Sequence, residues 1–325
     1  MIQFNSSNIR MWSLLGQRGA LGFTLLEMAK DKEKLIAITS DLTKTSGLDR
    51  FGKMFPERLI NTGIAEQNML GIAAAFANEG FVPFAVSFAV FSVLRACEPT
   101  RHFMGYMHSN IKLVGISSGF ATGIFGNTHY GREDIAIIRS IPGIVILSPA
   151  DGTELVKATE AAFNFNGPVY LRLTGIMNNP VVYREDYHFE LGKAIILIKG
   201  ADVTIIATGS MVYNSLRASE ILKDQGISAT VLDMHTIKPL DTETINREIN
   251  SARLVVTVEE HSIKGGLGGA IAEHLSSYPD HPGLLILGME DEFQPAGDYH
   301  YMLEQNGLLP EQIAFSISQQ YLLLT

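Results

Sequence analysis

Cysteine, tryptophan and charged residues are scarce in this chain, and no long uninterrupted apolar run occurs in it. Its 325 residues include one cysteine, Cys97, and one tryptophan, and only 18% of them are charged. A lone cysteine cannot form an internal disulfide, so we expect a reducing, cytoplasmic compartment. The most apolar stretches, such as residues 84–94, are too short to span a membrane, and we expect no membrane association. The first ten residues show no basic segment followed by an apolar one, so we predict no signal peptide.

Positive charge is also in short supply. Lysine and arginine number 25 against 34 aspartates and glutamates, which gives a net charge of −9 with the acidic residues spread along the chain. This distribution argues against a nucleic-acid surface and against a polybasic membrane patch. Hydrophobic residues make up 46% of the sequence, enough for a sizeable core, and the length suits two domains of ordinary size.

Short apolar runs alternate with helix-like patterns along most of the chain. The runs have the length and apolar continuity of buried parallel strands: residues 35–39, 81–86, 111–116, 144–147, 169–173, 203–207, 228–232, 254–258 and 284–287. Helices are predicted between them, over residues 64–79, 150–164, 213–225, 241–250 and 268–277. Asp151 suits the N-cap of one of these helices, and Gly80 suits the C-terminal cap of another.

A polar, aperiodic stretch over about residues 181–192 divides this pattern into two series. Strand–helix alternation of this kind is typical of doubly wound α/β layers. We therefore predict two α/β domains: a mostly parallel one over residues 1–188 and a smaller one over residues 189–325.

Three motifs in the first series carry candidate chemistry. Glu66 begins a predicted helix, where it is either an ordinary helix-start carboxylate or the anchor of a buried site. Phe88 and Phe91 would share one helix face, and by spacing alone core packing is the more usual reason for such a pair. The glycine-rich loop, residues 119–131, contains His129. A loop of that length favours a binding role, and a loop histidine suits acid–base chemistry.

Two features of the second series have plainer explanations. Residues 264–269 imitate a dinucleotide-binding loop, but tight packing of a strand against a helix explains their glycines better. Residues 259–261, with the sequence Glu-Glu-His, are expected to brace the contact between the domains rather than to act in catalysis.

Taken together and in this order, the three motifs resemble those of the transketolase family. Residues 18–174 resemble its pyrimidine-binding domain, and residues 192–325 resemble its C-terminal domain. The most specific marks are Ser40-Asp-Leu42, Gly63-Ile-Ala-Glu-Gln67 and Thr128-His129. Deoxyxylulose-phosphate synthases and the β subunits of 2-oxoacid dehydrogenases share this architecture, but the compact route over residues 111–149 looks more like transketolase.

The resemblance implies that thiamine diphosphate is the cofactor and assigns residues to it. Glu66 matches the glutamate that hydrogen-bonds the pyrimidine N1′ and promotes the proton relay through the cofactor. Phe88 and Phe91 match the aromatic residues that pack on the aminopyrimidine ring. Asp41 and Leu42 fall where the family lines the cofactor pocket. A second catalytic residue, His129, matches a histidine that faces the substrate hydroxyls.

The resemblance also implies a sugar phosphate substrate. Arg18, Thr45 and Arg172 match positions that hold the phosphate, for which an arginine fork is well suited. Two substrate positions depart from the family pattern. Ser117 stands where transketolases usually have a histidine, and Phe125 stands where they usually have an aspartate that reads an acceptor hydroxyl. These departures leave the identity of donor and acceptor open.

The largest departure is a missing motif. Full-length transketolases hold Mg²⁺ or Ca²⁺ and the diphosphate through a Gly-Asp-Gly motif, which this sequence lacks, so no metal ligands are expected on this chain. We therefore predict a split enzyme in which an N-terminal subunit supplies the diphosphate-binding domain. By family analogy the assembly is a heterotetramer with two copies of each chain.

The predicted function is thus that of the C-terminal subunit of a split transketolase, which transfers a two-carbon ketol unit from a ketose phosphate to an aldose. Two alternatives stay open at the sequence level. One is another thiamine-dependent subunit, of the deoxyxylulose-phosphate-synthase or 2-oxoacid dehydrogenase type. The other is a non-catalytic scaffold that has kept the fold, against which the intact Glu66 argues.

Overall fold

The structure, a computed structural model, describes residues 2–324, and within them twelve strands form two sheets flanked by helices. The strands are β1 (Leu35–Thr39), β2 (Leu59–Asn61), β3 (Val82–Phe88), β4 (Lys112–Ile116), β5 (Val145–Leu147), β6 (Val169–Arg172), β7 (Ile195–Ile198), β8 (Val203–Ala207), β9 (Ala229–Asp233), β10 (Thr236–Lys238), β11 (Leu254–Ser262) and β12 (Gly283–Met289). The helices are α1 (Ser6–Ala29), α2 (Asp49–Met54), α3 (Glu66–Asn78), α4 (Cys97–Pro99), α5 (Asp134–Ser140), α6 (Gly152–Asn164), α7 (Met211–Asp224), α8 (Thr242–Ile249), α9 (Leu267–Leu275), α10 (Tyr299–Gln305) and α11 (Pro310–Leu322).

The first sheet has seven strands in the order β10-β5-β6-β4-β3-β1-β2. All neighbouring pairs are parallel except β10 with β5. Every residue of β1, β3, β4 and β6 is buried, because helices cover both faces of a parallel sheet and leave no solvent-facing side. This explains why these strands appear in the sequence as continuous apolar runs rather than as alternating patterns.

Helices cover the two faces of this sheet with separate clusters of apolar side chains. On one face α1 and α6 contribute Trp12, Leu25 and Leu155, which pack with residues from β1 and β3. On the other face α3 contributes Met69 and Leu70 to a second cluster. The sheet is therefore a buried middle layer, as a doubly wound α/β architecture requires.

The second sheet has five strands in the order β12-β11-β8-β9-β7, and only β7 runs antiparallel to its neighbour. Helices α7 and α11 pack on one side of it and α9 on the other. The α/β fold class expected from the sequence is confirmed: each predicted strand and helix overlaps an observed one. Asp151 caps α6 by accepting a hydrogen bond from the Glu154 amide, and Gly80 ends α3 with a positive φ of 80°.

Several elements were not predicted. Helix α1 covers 24 residues but is interrupted at Gly16, whose φ of 66° and ψ of 174° are not helical. A Cβ at this position would meet the Ile176 carbonyl oxygen at 2.7 Å, so the close approach requires glycine. The three-residue strand β10 belongs to the first sheet although it follows β9 of the second, so the two sheets are connected by more than one stretch of chain. The boundary at residue 188 stays a prediction.

Within residues 2–324, no helix has the length and apolar character needed to cross a membrane. Over the same range, no group of three or more His, Cys, Asp or Glu side chains has a geometry that could hold a metal ion.

Candidate active site

The candidate residues converge on one edge of the first sheet. Because β1, β3 and β4 are parallel neighbours, the loops that follow them leave from the same edge. In open α/β sheets, ligands bind at this carboxyl edge. Asp41 follows β1, Phe88 ends β3 and Ser117 follows β4. The sheet thus gathers side chains that lie far apart in the sequence.

Glu66 is the buried carboxylate of this site. It is the first residue of α3 and is 1% exposed. One carboxylate oxygen accepts a hydrogen bond from Ser87 Oγ at 3.1 Å, and the other accepts one from Arg95 Nη1 at 2.7 Å. A buried carboxylate needs such partners, and its four acceptor positions leave room for a further donor.

Four aromatic rings form a cluster that Arg95 connects to this carboxylate, since its guanidinium lies over the Phe91 ring. The centroid of the His129 ring lies 5.4 Å from that of Phe91, 6.0 Å from that of Phe88 and 5.3 Å from that of Phe125. Phe88 and Phe91 contact each other edge to face, with centroids 5.9 Å apart. The structure therefore brings together four residues from two separate motifs, the Phe88–Phe91 pair and the glycine-rich loop. Flat rings at these separations offer a stacking surface for a flat heteroaromatic ligand.

His129 makes three polar contacts with residues of its own loop. Its amide donates to the Gly126 carbonyl at 3.0 Å, and its carbonyl accepts from Thr122 Oγ1 at 3.0 Å. Thr128 Oγ1 lies 2.9 Å from the ring Nδ1. Among residues 2–324, Nε2 makes no hydrogen bond within the chain. The ring is thus fixed at one nitrogen and leaves the other available for a substrate.

Arg95 is a site residue that the sequence analysis missed. Besides donating to Glu66, its guanidinium lies over the Phe91 ring, 4.3 Å from the centroid. Its backbone carbonyl accepts a hydrogen bond from the side-chain amide of Gln67 at 3.2 Å. Residues 91–95 form a π-helical turn, a widened turn that is often found at functional sites. The only sequence signal was an arginine four residues after a candidate aromatic.

Two residues at the carboxyl edge have left-handed backbone conformations that non-glycine residues rarely adopt. These are Asp41, with a φ of 58°, and Ser117, with a φ of 56°. Asn61 supports Asp41 by accepting a hydrogen bond from its amide at 3.0 Å. Ser117 is 1% exposed, and its hydroxyl has no hydrogen-bond partner within the part of the chain that the structure describes. Such backbone strain is concentrated at ligand sites, in keeping with the position of both residues.

Arg18, Thr45 and Leu42 lie where α1 meets the loop after β1. Arg18 is half-buried, has no ion-pair partner among residues 2–324, and burial lowers the pKa of its guanidinium. The Thr45 side chain is exposed, and the loop that carries it packs on α1 so closely that a Cβ at Gly47 would lie 3.0 Å from the Arg18 carbonyl. Leu42 packs on the core of the first domain. A half-buried arginine without an ion-pair partner among the described residues suits an anionic group.

The structure contradicts the phosphate role predicted for Arg172. This side chain is fully buried and donates to Asp134 Oδ2 at 2.8 Å and to the Glu260 carbonyl at 2.8 Å. Although burial alone raises the pKa of Asp134, the Arg172 guanidinium outweighs it and holds that pKa below its usual value. Removing one partner of such a pair would leave a buried charge without compensation. Arg172 therefore connects the two domains and does not reach a substrate.

A side chain of the protein, that of Glu259, binds to the glycine-rich stretch at residues 264–269. The Glu259 carboxylate accepts hydrogen bonds from the amides of Leu267 and Gly268, both at 2.7 Å, at the start of α9. A Cβ at Gly266 or Gly268 would overlap neighbouring side chains. This confirms that the glycines serve close packing, because the position that a phosphate takes in a dinucleotide site is filled by a carboxylate.

The residues present fit the aminopyrimidine end of thiamine diphosphate. Glu66 offers a buried carboxylate for a ring nitrogen, and Phe88 and Phe91 offer aromatic faces beside it.

Comparison with known proteins covers almost the whole chain. Residues 15–177 match the family model described as transketolase, pyrimidine binding domain, and residues 192–313 match that described as transketolase, C-terminal domain. A putative transketolase C-terminal section from Methanocaldococcus jannaschii is 42% identical over 307 residues, which covers 94% of this chain and 96% of that protein. The 6-deoxy-6-sulfo-D-fructose transketolase subunit of Clostridium sp. (strain MSTE9) is 40% identical and covers 89% of each chain.

A solved structure shows the same similarity in three dimensions. It is described as a split gene transketolase, inactive beta4 tetramer, and it superposes with a TM-score of 0.86 at 36% sequence identity. The match covers 96% of this chain and 100% of that one.

Proposed function

This chain belongs to the transketolase family, and we propose that it is the C-terminal subunit of a split, thiamine-diphosphate-dependent transketolase. In this proposal it transfers a two-carbon ketol unit from a ketose phosphate to an aldose. The observation that carries the proposal is the buried Glu66 carboxylate beside a cluster of aromatic rings that includes His129. A scaffold without chemistry has no use for a carboxylate buried at the edge of an open site, because such burial costs free energy.

The site residues have distinct roles toward the cofactor. Thiamine diphosphate, when bound, supplies the carbon centre that accepts the two-carbon unit and gives it back. Glu66 holds a proton at the pyrimidine N1′, Phe88 and Phe91 present ring faces to the pyrimidine, and Asp41 and Leu42 line the pocket beside it. Arg95 and Ser87 hold the Glu66 carboxylate in one orientation through their hydrogen bonds.

His129 and the anion-binding residues act on the substrate. The Nε2 atom of His129 exchanges a proton with a sugar hydroxyl, while Thr128 holds Nδ1 on the other side of the ring. Arg18 and Thr45 bind the terminal phosphate, since Arg18 is half-buried and has no carboxylate partner within the described chain. The buried Ser117 and the exposed, apolar Phe125 are assigned to the substrate side of the site in this proposal.

The diphosphate half of the site comes from a separate N-terminal subunit that carries the Mg²⁺ or Ca²⁺ ligands. Exposed apolar side chains follow the strands at the same sheet edge, as expected of a surface that a partner covers. Their exposed fractions are 75% for Ile64, 69% for Ile124, 58% for Phe125 and 60% for Met177. We propose a heterotetramer with two copies of each chain, located in the cytoplasm.

A sulfonated ketose is a second candidate donor. One relative at 40% identity is described as acting on 6-deoxy-6-sulfo-D-fructose. A sulfonate, like a phosphate, is a tetrahedral anion that an unpaired Arg18 can bind.

The experiment that tests the function is ketol transfer to ribose 5-phosphate with thiamine diphosphate and Mg²⁺, using xylulose 5-phosphate and 6-deoxy-6-sulfofructose as alternative donors. It is run on this chain alone and on this chain with the product of the neighbouring reading frame. Activity only in the mixture supports the split enzyme, and the preferred donor identifies the anion. A stable mixture that binds the cofactor but transfers from neither donor contradicts ketol transfer between these sugars.

A further inference from the structure

The second domain holds the glycine-rich loop of the first domain at both of its ends. At the start of the loop, the fully buried Glu260 carboxylate accepts the Phe120 amide at 2.5 Å and the hydroxyl of Tyr299 at 2.8 Å. Burial raises the pKa of Glu260, and these donors offset part of the cost. Just beyond the end of the loop, Arg132 donates to the carbonyls of Glu290 and Glu292 at 2.8 and 2.6 Å.

Two aromatic side chains of the loop are anchors in the core of the second domain. Phe120 and Tyr130 are both 2% exposed and belong to the apolar cluster formed by β8, α7 and α11. Their rings contact each other edge to face with centroids 5.6 Å apart. The Tyr130 hydroxyl donates to the Gly123 carbonyl at 3.0 Å, which ties the middle of the loop to its end.

Asn127 makes the contact with the second domain that lies nearest to His129 in the sequence. Its side-chain nitrogen donates to the Gln294 carbonyl at 2.8 Å, and its side-chain oxygen accepts the Gln294 amide at 3.3 Å. The side chain of Gln294 is in turn paired with Asn306 at the end of α10, through contacts of 2.9 and 2.6 Å. A single side chain of the loop therefore hydrogen-bonds to the backbone of Gln294, whose own side chain is held by the second domain.

The cofactor residues have no such connection. Glu66 and Phe91 are held by Ser87, Arg95 and neighbouring rings, all from the first domain. The second domain thus contacts the part of the site that carries Phe125 and His129, and not the part that carries Glu66.

We propose that the second domain is the template that positions the substrate side of the active site, and that Asn127 is the positioning residue through which it acts on His129 and Phe125. This inference rests on the proposed function, since it assigns the loop to the substrate. It gives the second domain a task although that domain contributes no side chain to the reacting atoms. Asn127 touches neither cofactor nor substrate in this proposal; it acts through the loop.

The test compares Asn127→Ala with Asn246→Ala in the assembled enzyme. Asn246 is a matched control because its side chain also makes two hydrogen bonds, to Tyr278 and His274, far from the site. We expect Asn127→Ala to lower kcat/KM for the donor sugar about 10- to 100-fold, since a displacement of about 1 Å costs about that much. The dissociation constant of thiamine diphosphate is expected to stay within about twofold, because the side chains that hydrogen-bond Glu66 lie outside the loop.

Hydrogen exchange of residues 119–131 gives a readout that needs no activity. The loop amides should exchange faster in Asn127→Ala, whereas in Asn246→Ala they should exchange as in the unmodified protein. Kinetics like those of the control, or an equal loss of cofactor affinity, would overturn the inference. If the unmodified assembly neither binds thiamine diphosphate nor transfers a ketol unit, the proposed function fails. Independently of activity, the positioning role is rejected if Asn127→Ala leaves the hydrogen exchange of residues 119–131 unchanged.

Discussion

Glu66 is the residue on which the proposed chemistry depends. Its burial, its place at the start of α3 and its two donors make it a carboxylate held in one position. Because Arg95 touches both Glu66 and Phe91, one side chain couples the two features that a pyrimidine ring needs, a hydrogen-bonding partner and a stacking surface.

The first prediction concerns the proton at Glu66. Glu66→Gln keeps the size of the side chain and one of its two acceptor oxygens but cannot exchange a proton, so turnover should fall by about 10²- to 10⁴-fold. Size-exclusion chromatography of the assembly should show no change. Glu79→Gln, at the exposed end of the same helix, is the control. Near-normal turnover in Glu66→Gln would remove the proton-relay role.

The second prediction concerns Arg95. Arg95→Leu leaves Glu66 with Ser87 as its one side-chain donor and removes the stacked guanidinium, so the cofactor should bind about tenfold more weakly. Arg95→Lys keeps the charge but not the planar group that stacks on Phe91, so its affinity for the cofactor should lie between those of the unmodified protein and Arg95→Leu. Calorimetric titration with thiamine diphosphate measures this, with Arg101→Leu, an exposed arginine nearby, as the control. Unchanged or tighter binding in Arg95→Leu would show that Arg95 does not support the cofactor site.

The third prediction concerns Phe125. Phe125→Asp replaces an exposed apolar ring near His129 with a hydrogen-bond acceptor, so acceptor preference should shift toward ordinary 2-hydroxyaldehydes. Competition between paired acceptors measures the ratio of kcat/KM values directly. An unchanged acceptor profile would contradict the role given to this position.

Sequence motifs were sufficient for some of these residues and not for others. Glu66 and His129 could be predicted because each stands within a local motif, and the structure brings them to one edge. Arg172 was misjudged because its partner Asp134 lies 38 positions away in the sequence, so the burial of the pair was not visible. Arg95 was missed because its role depends on a π-helical turn that places it over Phe91.

At the level of elements, the sequence predicts those strands and helices whose own residues show a clear pattern. It does not predict those that depend on distant contacts. The fully buried strand β1 was predicted over its observed range because five consecutive apolar or β-branched residues identify a central parallel strand. Strand β10 has three residues and pairs with β5 from a distant part of the chain, so no local signal marked it. Helix α1 was missed because Gly16 interrupts its periodicity.

The fourth prediction concerns the contact between α6 and β9. Glu154 and Asp233 are both fully buried carboxyl groups, held by the hydroxyls of Tyr187 and Tyr183 respectively. Burial raises the pKa of Asp233 to about 7, and burial followed by the nearby Asp233 raises that of Glu154. Above the ordinary range of a carboxyl group, the folded chain therefore binds more protons than the unfolded chain.

The sign follows from this difference in bound protons. The stabilisation is fully present below the unfolded pKa, and it is lost as the pH rises through about 7. The free energy of unfolding should therefore fall by on the order of 1 kcal/mol between pH 6 and pH 8, measured by urea titration. Asp233→Asn, which can still accept from Tyr183, should flatten the profile. A profile equally steep in that variant would place the titrating group elsewhere.

On the scale of the whole molecule, the proposal gives each domain a separate task in one active site. The first domain supplies the residues proposed to bind the pyrimidine, and the second makes the hydrogen bonds that hold the glycine-rich loop proposed to face the substrate. The proposal assigns the diphosphate and its metal ion to a partner subunit. Family membership follows from matches over residues 15–177 and 192–313, whereas the partner and the substrate are proposals.

The measurement that tests this account most directly is the affinity for thiamine diphosphate with Mg²⁺, determined by calorimetry on this chain alone, on the proposed N-terminal subunit alone and on their mixture. The account predicts tight binding only in the mixture, with one site per pair of chains, and loss of that binding when the partner's metal ligands are removed. Tight binding to this chain by itself would contradict the account, because it would place the whole cofactor site within residues that here supply only its pyrimidine half.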